Sequence, residues 1–193
     1  MNSIIKKVIP VSVFLLPFVI LPRSFYGIVF SKALFIEGTA LIIGVLWIIG
    51  KLFKKEKEIE IERIPKNIVF LIFGIYVLLF SVSCFSGVLP SLSFWSTLDQ
   101  GTGVVFMFCL LIFSLVTSFV FKKIEDWYKI FAVFVCSGIV FTLGSFLSET
   151  GVRFSKFLIL NTQNGFLIGN SSWAGIYLAF VFFISLGLIF SSR

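Results

Sequence analysis

Long apolar segments with few charged residues constrain this chain more than any other feature of its sequence. A helix needs roughly 20 apolar residues to cross the hydrocarbon core of a bilayer. Five segments approach that length, and a shorter one precedes them near the N-terminus. The predicted spans are Val8–Leu21, Ile28–Gly50, Ile68–Leu89, Thr102–Phe121, Ile130–Leu147 and Trp173–Phe190. We therefore predict an all-α, polytopic transmembrane bundle of about six helices, in a single region that covers residues 1–193.

The first predicted span differs from the others because it contains Pro10 and Pro17 and follows two lysines. A signal peptide begins in the same way, but Leu21–Arg23 offers no cleavage site of small residues. We interpret this segment as a retained helix that is short or kinked. Neighbouring helices can satisfy the backbone carbonyls that a proline leaves free.

Charged residues are scarce and unevenly distributed. They make up 13% of the chain, and ten of them lie in Lys51–Lys66, whereas soluble domains carry about 25%. This composition disfavours a water-soluble enzyme, a disordered chain and a secreted disulfide scaffold. The net charge of +7 does not predict nucleic-acid binding, because the basic residues lie between apolar runs instead of clustering on one folded face.

The placement of the basic residues predicts an orientation. With the N-terminus in the cytoplasm, cytoplasmic segments hold twelve Lys and Arg, and the outer loops hold only Arg23, Arg153 and Lys156. Cytoplasmic loops of membrane proteins are enriched in these residues. Both termini and the charged loop Lys51–Lys66 are then cytoplasmic. The predicted outer loops are Pro22–Gly27, Pro90–Gly101 and Ser148–Ser172.

Few residues are suited to metal or nucleophilic chemistry. The chain has no histidine, the residue that most often titrates near neutral pH and binds metals. Cys84, Cys109 and Cys136 lie in three separate predicted spans, where packing is a commoner role than a disulfide or a metal site. We therefore predict no metal site and no cofactor.

Two charged residues lie inside a predicted span. Glu37 lies about 13 Å along the second span at 1.5 Å per residue, a depth at which a carboxylate is costly. It is either a structural carboxyl held between helices or a functional group. Lys32 lies five residues earlier, which is not the i,i+4 spacing that pairs side chains. We predict that the Lys32 side chain extends outward to the interface.

The outer loops contain polar candidates for substrate binding. Pro90–Gly101 includes Gln100 in a glycine-rich turn, for which a helix cap is the simpler explanation. Ser148–Ser172 includes Arg153 and Lys156, and Asn170 near its end is a good helix N-cap residue. Two outward cations suit a phosphate or pyrophosphate group, although contact with lipid headgroups explains them equally simply.

Short motifs in these loops resemble the O-antigen ligase-like family, polytopic bacterial membrane proteins that move lipid-linked glycans. The motifs are Ser93–Ser96 before the fourth helix, Gly103, and the Gly-Asn-Ser-Ser-x-Ala-Gly-x-Tyr-Leu pattern at Gly169–Leu178. The charged loop after the second helix agrees as well. Gln100 departs from the family, whose members often have an arginine at this position.

The resemblance implies transfer of a glycan from a polyprenyl-pyrophosphate donor to an acceptor on the outer side of the bacterial inner membrane. Arg153 and Lys156 would then stabilise the leaving pyrophosphate, near Gln100 and Asn170. Family members are considerably longer and carry a functional His and Arg in a large outer loop. This sequence therefore resembles their N-terminal half and is expected to be inactive alone, with no catalytic residue identified.

Two other functions stay open at this stage. A transporter or permease would line a path through the membrane with polar residues, and Glu37 and Lys32 are the candidates here. A non-catalytic membrane scaffold would use Lys51–Lys66 to bind a cytoplasmic partner.

Overall fold

A computed structural model describes residues 2–20, 28–53, 68–97, 101–149, 166–168 and 171–191. Within these ranges the chain forms helices and no strand. The α-helices are α1 (Asn2–Leu15), α2 (Ile28–Leu52), α3 (Ile68–Phe85), α4 (Pro90–Trp95), α5 (Val104–Val120), α6 (Ile124–Glu149) and α7 (Ser171–Ser191). Two 3₁₀ turns lie at Leu16–Phe18 and Phe166–Ile168.

The described helices confirm the all-α prediction but not the number of spans. Four of them, α2, α3, α6 and α7, are long and apolar enough to cross a membrane. α5 is apolar but has only 17 residues, and α1 has 14. At 1.5 Å per residue α1 is about 21 Å long, shorter than the roughly 30 Å hydrocarbon core. Six full spans are therefore not confirmed.

Several helix boundaries differ from the prediction. α1 spans Asn2–Leu15 and not Val8–Leu21. It ends earlier than predicted because Pro17, in the turn that follows, lacks a backbone N–H and cannot continue the helix. It begins earlier because the polar residues at its start are compatible with a helix. α6 begins at Ile124, six residues before the predicted start. Its first turn carries two carboxylates, Glu125 and Asp126, which the positive N-terminal end of a helix dipole favours.

The helices run alternately between the two ends of the bundle. α1, α3 and α6 start at one end, and α2, α5 and α7 return to it, as the contacts between α1 and α6 and between α6 and α7 show. The helix ends there gather six of the described lysines. We term this the lysine-rich end; its lysines are Lys6, Lys7, Lys51, Lys122, Lys123 and Lys129.

The hydrophobic core lies towards the lysine-rich end, where α1, α2, α5 and α6 meet. Its buried residues are Ile5, Ile9, Ile43, Val116, Val120, Phe121 and Ile130. The Trp127 indole N–H closes this core by donating a 2.9 Å hydrogen bond to the Phe121 carbonyl just after α5. Trp47 stacks on Phe119 at its edge, with ring centroids 5.4 Å apart. Burial of these side chains is the main cohesion of the bundle.

α3 and α7 lie at the outside of the bundle. α7 packs on α6 and contains no fully buried residue. Large apolar side chains cover the exposed surface of both helices, among them Leu71, Leu78 and Phe85 on α3 and Phe180, Phe183 and Phe190 on α7. Soluble proteins rarely expose a continuous apolar surface of this extent. The outer surface is therefore compatible with a membrane-embedded protein.

α1 reaches only half-way along α6. The Ser137 hydroxyl, near the middle of α6, donates a 2.9 Å hydrogen bond to the Phe14 carbonyl at the end of α1. The 3₁₀ turn Phe166–Ile168, part of the predicted outer loop Ser148–Ser172, packs against the turn Leu16–Phe18 and against α2 and α6. The space beyond the end of α1 is thus partly filled by a second short turn.

Candidate functional site

The site begins with the short helix α4, which lies at the end of the bundle opposite the lysines. Proline suits the first position of a helix, where no N–H is needed, and Pro90 starts α4. The Cys84 thiol at the end of α3 contacts the Pro90 carbonyl at 3.2 Å. At the other end of α4, the Ser96 N–H donates to the Leu92 carbonyl at 2.7 Å. The predicted outer loop Pro90–Gly101 therefore contains a helix that includes most of Ser93–Ser96.

Two glycines allow the chain to turn tightly from α4 into α5. Gly103 is the N-cap residue of α5, and a Cβ added there would lie 2.4 Å from the Phe94 carbonyl oxygen. Gly101 has a φ of +61°, and a Cβ there would lie 2.9 Å from a Phe30 ring carbon on α2. Ser96 also adopts a positive φ, 71°, which is uncommon for a residue with a side chain. The backbone of this turn is thus closely packed against α4 and α2.

A cavity of about 270 Å³ lies between α3, α4 and the start of α5. We term it the cup. Its lining residues are Phe80, Ser83, Cys84, Leu92, Ser93, Ser96, Thr97, Thr102 and Gly103. Five of these carry a hydroxyl group and none carries a charge. The volume is slightly below the roughly 300–1,000 Å³ of ligand pockets. Such a lining can exchange hydrogen bonds with a neutral, hydroxyl-bearing group and has no cation to neutralise a phosphate.

Lys32 does not extend outward as predicted. Its ammonium donates hydrogen bonds to the carbonyls of Pro17 at 2.9 Å and Val19 at 3.1 Å, and a longer one of 3.5 Å to Leu16. The break at Pro17 leaves these carbonyls without helical partners, and an apolar environment makes unpaired carbonyls costly. Lys32 therefore stabilises the end of α1, and the prediction of a snorkelling lysine is wrong.

Glu37 lies half-buried on α2, on the side that faces α5. The buried Cys109 thiol lies on α5, the helix that this side of α2 faces. Among the described residues, we find no hydrogen bond or ion pair to its carboxylate. Lys32 bonds to backbone carbonyls instead, in agreement with the unfavourable spacing of the two residues. Glu37 is separate from the cup, and both interpretations of it stay open.

The second motif, Gly169–Leu178, lies partly outside the described residues. Its tyrosine, Tyr177 on α7, donates a 3.1 Å hydrogen bond to the Ser137 hydroxyl, and Ser137 in turn bonds to the Phe14 carbonyl. Tyr177 therefore joins three helices. The sequence analysis missed Ser137, although a hydroxyl in the middle of a long apolar helix was a usable signal.

Four predicted substrate contacts, Gln100, Arg153, Lys156 and Asn170, lie outside the described residues. Their roles stay predictions. All three cysteines are free thiols; Cys84 and Cys109 are buried and Cys136 is exposed. In the part of the chain that the structure describes, no three metal-ligating side chains come together.

No protein-family model, curated protein or solved structure matches this chain.

Proposed function

We propose that this chain corresponds to the N-terminal part of a membrane enzyme that transfers a polyprenyl-pyrophosphate-linked glycan to an acceptor. The observation that carries the proposal is the cup. Ser93, Ser96 and Gly103, which belong to the motifs that resemble O-antigen ligase-like proteins, lie together around one hydroxyl-lined cavity. Motif residues that meet at a cavity suggest ligand binding more strongly than motif residues that are scattered over the bundle.

The position of the cup supports a reaction on the outer side of the membrane. It lies opposite the lysine-rich end, and lysines and arginines accumulate on the cytoplasmic side of membrane proteins. In our proposal the protein lies in the bacterial inner membrane with both termini in the cytoplasm. In the same proposal, α1 and α5 are the two further crossings that bring the total to six.

The proposed chemistry is shared between the cup and the predicted outer loops that carry the other substrate contacts. The cup binds hydroxyl groups of the first sugar, since its own polar groups are all uncharged or backbone. Arg153, Lys156, Gln100 and Asn170 bind the pyrophosphate in this proposal, and the two cations stabilise the charge that develops as it leaves. Activation of the acceptor hydroxyl needs a general base. The sequence contains no histidine, and we assign this role to no residue of the chain.

Binding of the donor tests the proposal directly. The chain, purified and reconstituted in lipid nanodiscs, is titrated with a fluorescent polyprenyl-pyrophosphate-linked glycan and with the same lipid without the sugar. We expect the glycosylated lipid to bind more tightly. The double substitution Ser93→Ala and Thr97→Val should remove most of that preference, because each lost hydrogen bond is worth about 0.5–1.5 kcal/mol.

Ser185→Ala is the matched control, since the Ser185 hydroxyl on α7 bonds to the Phe182 carbonyl of its own helix and is remote from the cup lining. It should leave binding unchanged. Equal affinity for the lipid with and without sugar in the parent chain would contradict the role of the cup.

Glu37 favours a second candidate function, a transporter. A half-buried carboxylate between α2 and α5, with no bonded partner among the described residues, is a typical feature of ion pathways. Proton-coupled substrate uptake by proteoliposomes that is lost in Glu37→Gln would favour the transporter over the transferase.

A further inference from the structure

An ion pair holds α1 to α6 at the lysine-rich end of the bundle. The Lys6 ammonium contacts the Asp126 carboxylate, and these side chains are 38% and 14% exposed. The same ammonium lies 5.8 Å from the centre of the Phe121 ring. The Asp126 side chain is thus the less exposed of the two, and more of the Lys6 side chain stays accessible.

Further lysines surround this pair. Lys123 and Lys129 lie close enough to Asp126 to attract its carboxylate by charge, and both side chains are exposed. We term Lys6, Lys123, Lys129 and Asp126 the Asp126 cluster. The adjoining positions add Lys7 and Lys122, against a single further carboxylate, Glu125. Among the described residues of this region, lysines outnumber carboxylates five to two.

Aromatic residues place this positive charge at the boundary between lipid and water. Trp127 is half-buried, with its indole N–H bonded to the Phe121 carbonyl. Tyr128 is exposed, and its hydroxyl bonds to the Ser191 hydroxyl at the end of α7. Trp and Tyr are enriched at the headgroup level of membrane proteins. The lysines therefore lie at the level of the lipid headgroups.

We propose that the Asp126 cluster binds the headgroup of an anionic phospholipid. The phosphodiester lies among Lys6, Lys123 and Lys129, and the acyl chains extend along the apolar surfaces of α1 and α6. Asp126 competes with the phosphate for Lys6 and so keeps the affinity moderate. This site lies at the opposite end of the bundle from the cup, and the inference does not depend on the proposed transferase function.

Native mass spectrometry tests the proposal on the full chain. The protein is released from nanodiscs of equal parts phosphatidylglycerol and phosphatidylcholine, and the ratio of the two retained lipids is measured. The parent should retain one phosphatidylglycerol preferentially. Lys123→Gln with Lys129→Gln should lower that preference roughly fivefold for each lysine, since a cation near the membrane surface contributes about 1 kcal/mol.

The carboxylate provides the more discriminating variant. Asp126→Asn frees Lys6 from its ion pair, so it should raise the preference for phosphatidylglycerol about fivefold, even if it weakens the contact between α1 and α6. A purely structural role of Asp126 predicts no gain of lipid. Asp126→Glu keeps the charge and should behave as the parent.

Lys51→Gln is the control for net charge, because Lys51 belongs to the same end of the bundle but lies over Trp47 on α2, 5.6 Å from the ring centre. It should change the lipid ratio much less than the Lys123 and Lys129 variant. The proposal is overturned if the Lys123 and Lys129 double variant retains the two lipids in the same ratio as the parent. It is also overturned if Asp126→Asn retains no more phosphatidylglycerol, relative to phosphatidylcholine, than the parent does. If inorganic phosphate raises the thermal unfolding midpoint in detergent as much as phosphatidylglycerol does, the site binds free phosphate instead.

Discussion

At the scale of single residues, the packing around them explains why a lysine occupies position 32 and a glycine occupies position 103. Lys32 is a charged residue at membrane depth, and its three carbonyl contacts repair the break that Pro17 makes in the backbone hydrogen bonding. Gly103 lies where no larger residue fits, because the Phe94 carbonyl occupies the position that its Cβ would need.

Gly103→Ala should therefore destabilise the protein. The backbone of α4 has to move, because the added Cβ would lie too close to the Phe94 carbonyl oxygen, and such overpacking typically costs about 1–3 kcal/mol. Gly175→Ala on α7 is the matched control, since a Cβ there meets no atom within 4 Å. It should be neutral or slightly stabilising, because alanine favours a helix more than glycine does. Thermal unfolding in detergent measures the stability of both variants. Equal unfolding midpoints for Gly103→Ala and Gly175→Ala would contradict the tight turn.

At the scale of helices, a short polar chain joins three of them in an otherwise apolar region. Tyr177 of α7 donates to Ser137 of α6, and Ser137 donates to the Phe14 carbonyl of α1. Close packing accompanies these bonds, since a Cβ at Gly138 would lie 2.5 Å from a methyl group of Val181. Hydrogen bonds and small residues are the usual means by which helices associate in membranes.

Ser137→Ala should cost more stability than Tyr177→Phe. An interhelical hydrogen bond in a membrane is worth about 0.6–1.7 kcal/mol, and Ser137→Ala removes two such bonds, whereas Tyr177→Phe removes one. The double variant should cost less than the sum of the single variants, because each of them already eliminates the shared bond. Unfolding by increasing concentrations of a denaturing detergent measures the free energy of unfolding of the two single variants and of the double variant.

Ser118→Ala is the control for this series, because the Ser118 hydroxyl bonds to the Leu115 carbonyl within α5. It should have little effect. Strict additivity of Ser137→Ala and Tyr177→Phe would show that the two hydroxyls do not interact.

At the scale of the whole molecule, charge and apolar surface are separated in a way that suits a bilayer. The described lysines other than Lys32 gather at one end of the bundle, and the sides of α3 and α7 expose large apolar residues. The lysine-rich end is then expected to face the cytoplasm, which leaves the cup accessible from the other side.

Labelling of single cysteines tests this orientation. In a chain whose three native cysteines are replaced, a cysteine at Ser93 or Gln163 should react with an impermeant thiol reagent added to intact cells. A cysteine at Glu58, in the charged loop, should react only after the membrane is permeabilised. Labelling of the Glu58 variant in intact cells would reverse the proposed orientation, and with it the side on which the cup opens.

The helical class and the segregation of charge follow from local sequence patterns alone. Apolar length and the positions of lysines are local properties, so the predicted segments correspond to described helices even where their ends differ. Local turn chemistry also indicated a helix start after Gly101, and Gly103 is indeed the N-cap of α5. None of these conclusions needs a contact between distant residues.

The end of α1, the bonding partners of Lys32 and the meeting of the motif residues depend on contacts between helices that are distant in the chain. Lys32 finds its carbonyl partners 13–16 residues earlier in the chain, and Ser137 finds Phe14 at a separation of 123. The cup likewise needs α3, α4 and α5 packed together. In an apolar medium each buried polar group must find a partner, and the partner available depends on which helices pack together, which local sequence patterns do not specify.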